Sequence, residues 1–191
     1  MALLVRASGI VLTGGASSRM GTDKALLPVG EPPIPLAVRV AAALHAAGCP
    51  DITCVGGDLD ALKALGLTAV PDDHPGEGPL GGMLTGLRVA ALPTAVVLAC
   101  DLPAITGASI RGLLTTLGTA PSAEVAVPLV DGRLQVHVLA VRRSARPVLA
   151  GAFAAGERSV TRALDRVEVV TTERLDPTTL VDVDEPDDLG R

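Results

Sequence analysis

The run LTGGASSRMGTDKALL, from Leu12 to Leu27, constrains this chain more than any other stretch. It follows SGIV, an apolar run short enough to be a buried strand, and it precedes a proline-punctuated turn and a helical segment. A glycine-rich loop is therefore expected at the carboxyl end of a first strand. In open α/β sheets ligands collect beyond such ends, where backbone N–H groups can receive anionic oxygens. Gly14, Gly15 and Gly21 let the backbone turn tightly and approach a phosphate. Ser17 and Ser18 add hydroxyl donors, and Arg19 and Lys24 bring two positive charges. The set suits a triphosphate, although the string matches neither the dinucleotide glycine fingerprint nor the Walker-type phosphate loop.

Strands alternate with helices along the rest of the chain, which predicts a mainly parallel α/β sheet. Helical spacing runs over 36–49 and stops at Gly48; DITCVGGD reads as a second strand ending at Gly56 and Gly57; a short helix over 59–65 leads to a third strand, LTAVPDD. TAVVLAC is a buried strand, followed by a helix from beyond Thr106 to about Leu117. AEVAVPLVDGRLQVHVLAVRR reads as two strands about an Asp131-Gly132 turn. Two helical pieces then meet at Gly156, and the last unit reads as strand, turn, short strand and a terminal helix after Pro186.

Composition narrows the possible partners. With 191 residues, 48% of them apolar, the chain can bury a real core, and one domain over 1–191 is expected. Phe153 is the single aromatic, so a ring-shaped substrate must be held by backbone, aliphatic and polar groups rather than by stacking. A net charge of −5 with no run of basic residues argues against a nucleic-acid partner. Cys49, Cys54 and Cys100 are odd in number and lack metal-ligand spacing, which predicts buried free thiols in a reducing interior. Neither a signal segment nor a membrane span is apparent, and a cytoplasmic protein with no membrane partner is expected.

Three later places carry chemistry. Asp72 and Asp73 end a strand on the same sheet edge as the first loop, so they either solvate a turn or face the same ligand. Gly81 and Gly82 open a helix whose amides could approach a ligand or another backbone closely. Asp101 stands where Leu102-Pro103 ends a strand. It either caps the next helix or, beside a triphosphate loop, holds Mg2+, which favours carboxylate and phosphate oxygens. Arg158 and Ser159 are phosphate candidates at a helix start. His45 reads as a surface or core residue rather than a ligand, His137 could bind ligand but reads better as filling its strand, and His74 has no assigned part.

The first loop, GPLGGM at 78–83 and CDLP at 100–103 together resemble the molybdenum cofactor guanylyltransferases. The resemblance runs from about Gly9 to Leu189 and is looser from Ala120 onward. It implies a three-layer αβα sandwich, Rossmann-like, with a nucleotide-binding half over about 1–105 and an acceptor-binding half over about 106–191. It also implies transfer of GMP from GTP to molybdopterin, with or without molybdenum, releasing pyrophosphate, with transient contacts to cofactor-delivery and acceptor proteins. On that basis Leu12, Thr13, Gly14 and Gly15 cradle the nucleotide, Arg19 and Lys24 stabilise the leaving phosphates, Asp72 takes part in GTP binding and is a candidate for the guanine edge, Gly81 and Gly82 are further nucleotide-binding candidates, and Asp101 holds Mg2+. CDLP matches the family's metal-binding CDxP. GERSVTRAL resembles its segment beside the cofactor precursor. Guanine rather than cytosine is suggested by Gly15, where cytidylyl relatives usually carry Ala, and by GPLGGM. The chain departs from the pattern at Val136, where a proline is usual, and at Asp182 and Asp184, which replace amides; Asp184 is a possible second metal carboxylate. Rival readings are a molybdenum cofactor cytidylyltransferase, a sugar-1-phosphate nucleotidyltransferase, or a nucleotide-binding regulatory protein without turnover.

Overall fold

Ser8–Leu12 forms β1, and every residue of it except Leu12 is buried. Ile10 faces one side of the sheet and Val11 the other, as the two-residue repeat of a strand requires. A computed structural model of the chain describes residues 5–14 and 23–183. Within them β1 lies between β4 (Ile52–Val55) and β6 (Thr94–Ala99), parallel to both, and β5 (Ala69–Val70) extends that parallel run beyond β4. On the other side of β6 comes β9 (Val138–Arg142), antiparallel, and then β7 (Val125–Val130) and β10 (Val169–Thr172), parallel to each other. The order is β10-β7-β9-β6-β1-β4-β5. A separate two-stranded ribbon pairs β2 (Pro28–Val29) with β3 (Ile34–Pro35).

Helices cover both faces, giving the expected mainly parallel three-layer α/β architecture. One face carries α1 (Leu36–Ala47), α2 (Leu59–Ala64) and α4 (Gly107–Gly118), which bury Leu44, Leu62, Ile110 and Leu117 against Val11, Val96 and Leu98. The other carries α3 (Pro79–Val89), α5 (Arg146–Ala154) and α6 (Val160–Leu164), which bury Met83, Leu87, Leu149 and Leu164 against Ile10, Val97 and Leu139. Buried side chains of this size each contribute about 1.5–3 kcal/mol, so the layers are held largely by aliphatic burial. α1 ends where expected, with Gly48 in the left-handed conformation at φ 94°. α3 rides close on β1: a Cβ on Gly86 would lie 2.5 Å from Ile10 Cγ2. Among the described residues no helix is long and apolar enough to cross a membrane.

Two expectations differ from the structure. The Asp131-Gly132 turn is present, with positive φ at both residues, but the strand after it is split. β8 (Arg133–Leu134) pairs with the end of β7, residues 135–137 form a turn, and β9 then enters the sheet between β6 and β7. The physical reason is long-range: β6 and β7 both need a partner, and β9 satisfies both. Near the C-terminus Pro177–Leu180 forms a 3-10 turn rather than leading into a short strand, because the Asp176 carboxylate accepts from the Thr178 amide and caps the turn. The expected terminal helix after Pro186 lies outside the described residues.

Candidate active site

Strand register gathers the site. Leu12 is paired with Val55 on one side and Ala99 on the other, and Val55 is paired with Val70, so β1, β4, β5 and β6 end together. Their following loops leave the sheet side by side, carrying Thr13-Gly14, Gly56-Gly57, Asp72 and Asp101.

The first loop is seated by Thr13 and Gly14 together with two groups that the sequence pattern does not single out, the Gly56-Gly57 turn and Asp23. Thr13 is buried, and its hydroxyl lies 2.8 Å from the Gly56 carbonyl and 3.1 Å from that of Val55. The amides of Thr13 and Gly14 both donate to Val55, at 3.0 and 2.9 Å. These two amides close the loop onto the end of β4. Gly56, at φ 76°, approaches so closely that a Cβ there would lie 2.9 Å from Gly14 Cα. Asp23 fastens the far end: Oδ1 accepts from the Ala25 amide and Oδ2 from the Asp58 amide, each at 3.0 Å. The glycine pair in VGGD, read only as a strand end, is thus half of the loop's seat. Gly15 and Arg19 lie outside the described residues.

Lys24 begins a 3-10 turn (Lys24–Leu26), and its ammonium donates to Asp101 Oδ2 at 3.1 Å across 77 residues of chain. The two side chains are 17% and 20% exposed, so their charges act on one another with little screening by water. Asp101 does not cap α4; the Thr106 hydroxyl does, accepting from the Ser109 amide. Asp101 Oδ1 is buried with no hydrogen-bond partner among the described residues, an arrangement that fits an oxygen reserved for a cation. No cluster of three His, Cys, Asp or Glu able to hold a metal occurs among the described residues, so a divalent ion would draw its other ligands from substrate oxygens, water or residues outside that set. The Val183 amide donates to the Asp101 carbonyl at 2.9 Å, so the chain segment before Asp184 is tied to Asp101; Asp184 itself lies outside the described residues. Cys100 is buried, and burial together with the Asp101 charge pushes its thiol up to about 12, which keeps it protonated.

Asp72 and Asp73 are stapled to α3. Asp72 Oδ1 accepts from the His74 amide at 3.0 Å and from the Thr85 hydroxyl at 2.9 Å, while Arg88 grips Asp73 with two bonds of 2.7 and 3.1 Å. Gly82 packs under this turn, where a Cβ would lie 3.3 Å from Leu12 Cδ2 and 3.7 Å from Asp72 Oδ2. Gly81 gives its amide to Gly78, and a Cβ on it would lie 2.8 Å from His74 Cβ. Both glycines serve close packing of backbone, and the small residue at 82 leaves room beside Asp72.

Beyond β6 a cavity of about 300 Å³ is lined by Leu12, Met83, Val136, His137, Arg158 and Ser159, among others. The split between β8 and β9 is what turns Val136 and His137 into its wall. His137 also bonds the Leu180 carbonyl through Nε2 at 2.9 Å. Arg158 lies over the Phe153 ring at 4.0 Å, donates to the Phe153 carbonyl and pairs with Glu77, and His74 packs on the same ring at 4.6 Å between centroids. The Arg158 and Ser159 amides go to Glu157, whose carboxylate also takes both ends of Arg162. Those bonds hold the Glu157 carboxyl down at about 2. Ser159 itself caps α6. A larger groove of about 550 Å³ lies along α4, lined by Thr106, Thr116 and Arg174 among others, and contains none of the expected site residues.

A half-buried Lys–Asp pair thus stands at the aligned carboxyl ends of parallel strands, beside a glycine-seated loop, and the family match gives the class of protein as a nucleotidyltransferase. The chain belongs to the MobA-like NTP transferase family, whose model matches residues 9–168. Relatives named as molybdenum cofactor guanylyltransferases include a probable one from Chloroflexus aggregans, 35% identical over 95% of this chain and 91% of its own length. Another, from Xanthomonas euvesicatoria, is 36% identical over 87% of this chain and 85% of its own. The crystal structure of molybdopterin-guanine dinucleotide biosynthesis protein A from Archaeoglobus fulgidus superposes with a TM-score of 0.75, covering 96% of this chain and 95% of that one at 23% identity.

Proposed function

We propose that this chain transfers GMP from GTP to the terminal phosphate of molybdopterin, or of its molybdenum-loaded form, and releases pyrophosphate. The observation that carries the reading is the Lys24–Asp101 pair at the sheet edge where the loop of 12–27 begins; the names of relatives matching most of the chain supply the substrates. The reaction forms a bond between an acceptor phosphate oxygen and the α-phosphorus of GTP and breaks the bond to the β-phosphate oxygen, so pyrophosphate leaves in line. Catalysis then consists of positioning and neutralising charge, and no protein nucleophile is required.

In this reading Lys24 and Arg19 neutralise the leaving pyrophosphate, Thr13 through Gly15 set the loop against the nucleotide, and Asp72 accepts from the guanine edge. Asp101, with Asp184 as a second carboxylate, would hold Mg2+, which would supply positive charge beside the triphosphate. The orphaned Asp101 Oδ1 supports that assignment. Arg158 faces the acceptor in the cavity beside Val136 and His137. We treat 1–191 as one domain, with nucleotide bound over about 1–105 and acceptor over about 106–191. The three unbridged cysteines support a reducing cytoplasm, where delivery and acceptor proteins make transient contact.

Pyrophosphate release measured with GTP or CTP, with and without molybdopterin, tests the reading. Release is expected only with GTP and molybdopterin together. A preference for CTP would point to cytidylyl transfer, release with a sugar 1-phosphate in place of molybdopterin to sugar activation, and GTP binding with no release under any of these conditions to a regulatory binder.

A further inference from the structure

Thr85 is 1% exposed, lies in the middle of α3, and makes no hydrogen bond to the described residues of the loop of 12–27, yet it organises the turn that carries Asp72. Its Oγ1 lies 2.9 Å from Asp72 Oδ1 and 3.1 Å from the Gly81 carbonyl, and it accepts from the Asp73 amide at 3.1 Å. A hydroxyl has one proton to give. The ionised carboxylate is the stronger and nearer acceptor, with the Gly81 carbonyl as the weaker share that a helical threonine commonly makes four residues back. With the His74 amide as second donor, Asp72 Oδ1 holds two hydrogen bonds from inside the protein. Oδ2, on the side of Gly82, takes no hydrogen bond among the described residues and is the oxygen left for a ligand.

We infer that Thr85 is a positioning residue for nucleotide choice: it fixes the Asp72 carboxylate so that one oxygen, Oδ2, accepts from the guanine N1–H and N2 amine edge. This rests on the assignment of Asp72 to the base made above. Guanine presents two neighbouring donors on that edge, whereas cytosine presents the N3 and O2 acceptors next to its N4 amine, which a fixed carboxylate oxygen repels. The terminal torsion of an aspartate is broad, so a carboxylate without the Thr85 hydroxyl turns more readily and loses that discrimination. Arg88 does not compensate, because it grips Asp73.

The test is the dissociation constants of GTP and CTP, measured by calorimetry for wild type, Thr85→Val, Thr85→Ser and Asp72→Ala, with thermal unfolding in parallel. Valine keeps the shape and removes the hydroxyl; serine keeps the hydroxyl. Thr85→Val is expected to weaken GTP about tenfold and leave CTP within about twofold, the size of one lost hydrogen bond to a charged group. Thr85→Ser is expected to bind both as wild type does. Should the valine variant fail to fold, Thr85→Ala is read in the same way. If Asp72→Ala weakens GTP alone while Thr85→Val leaves the GTP:CTP ratio unchanged, the role given to Thr85 is overturned and the reading of Asp72 stands. If Asp72→Ala weakens both nucleotides equally, both fall.

Discussion

Gly56→Ala probes the loop seat directly. At φ 76° an alanine pays the left-handed penalty of about 1–2 kcal/mol. Its Cβ would also sit 2.9 Å from Gly14 Cα and 3.1 Å from Gly14 N, both backbone atoms that cannot rotate away. Ordinary contact needs roughly half an ångström more, and moving Gly14 that far strains its 2.9 Å bond to the Val55 carbonyl and the 2.8 Å bond from Thr13 Oγ1 to Gly56. Each such bond contributes about 0.5–1.5 kcal/mol. The total is about 2–4 kcal/mol, or a fall in Tm of about 5–15 °C for a chain of this length. Gly48→Ala is the control: φ is 94° and nothing lies within 4 Å of its Cβ, so it carries the backbone penalty alone. Calorimetric titration with GTP, below both melting temperatures, is expected to give affinity at least tenfold weaker for Gly56→Ala and within about twofold of wild type for Gly48→Ala, because only the first displaces the loop. Equal GTP affinity in the two variants would refute the claim that Gly56 seats the nucleotide loop.

Glu157 is expected to shape acid unfolding. Its folded carboxyl sits at about 2, below the ordinary 4.5, so its contribution to stability is present above about pH 4.5 and is lost as pH falls towards 2. Melting curves across that window should be flatter for Glu157→Gln than for wild type, and identical slopes would exclude the carboxylate as their source. Burial pushes the thiols of Cys49 and Cys54 up to about 11, and Cys100 to about 12. Native protein at pH 8 is therefore expected to react with a thiol reagent far more slowly than protein in denaturant, and rapid native labelling of all three would contradict their burial.

The site's outline was legible where local chemistry decides structure. An apolar run followed by glycines marks the end of β1, and Leu102-Pro103 keeps β6 from running past Asp101, the strand itself ending at Ala99; the register of Leu12 against Val55 and Ala99 then aligns the loops. What stayed hidden depends on partners distant in sequence. Nothing in LQVHV says that the strand breaks at residues 135–137, because β9 is placed by β6 and β7 together. Gly56-Gly57 looked like a plain strand end because its partner, Gly14, is remote in sequence. A mid-helix threonine carries no signal at all, and only the fold brings Thr85 to Asp72. Conversely, Ser159 and the Arg158 amide resembled an anion site, but the neighbouring Glu157 carboxylate fills it.

The central claim is that Lys24 and Asp101 act on one triphosphate and its divalent ion. Pyrophosphate release under single-turnover conditions, with GTP, molybdopterin and Mg2+, tests it most directly when wild type is compared with Asp101→Asn, which keeps the shape and the Lys24 contact but removes the charge. The expected result is a rate at least about 100-fold slower with Tm lowered by no more than about 5 °C, in line with losses seen when a single group that stabilises transition-state charge is removed. An Asn variant that releases pyrophosphate within about twofold of the wild-type rate would contradict it.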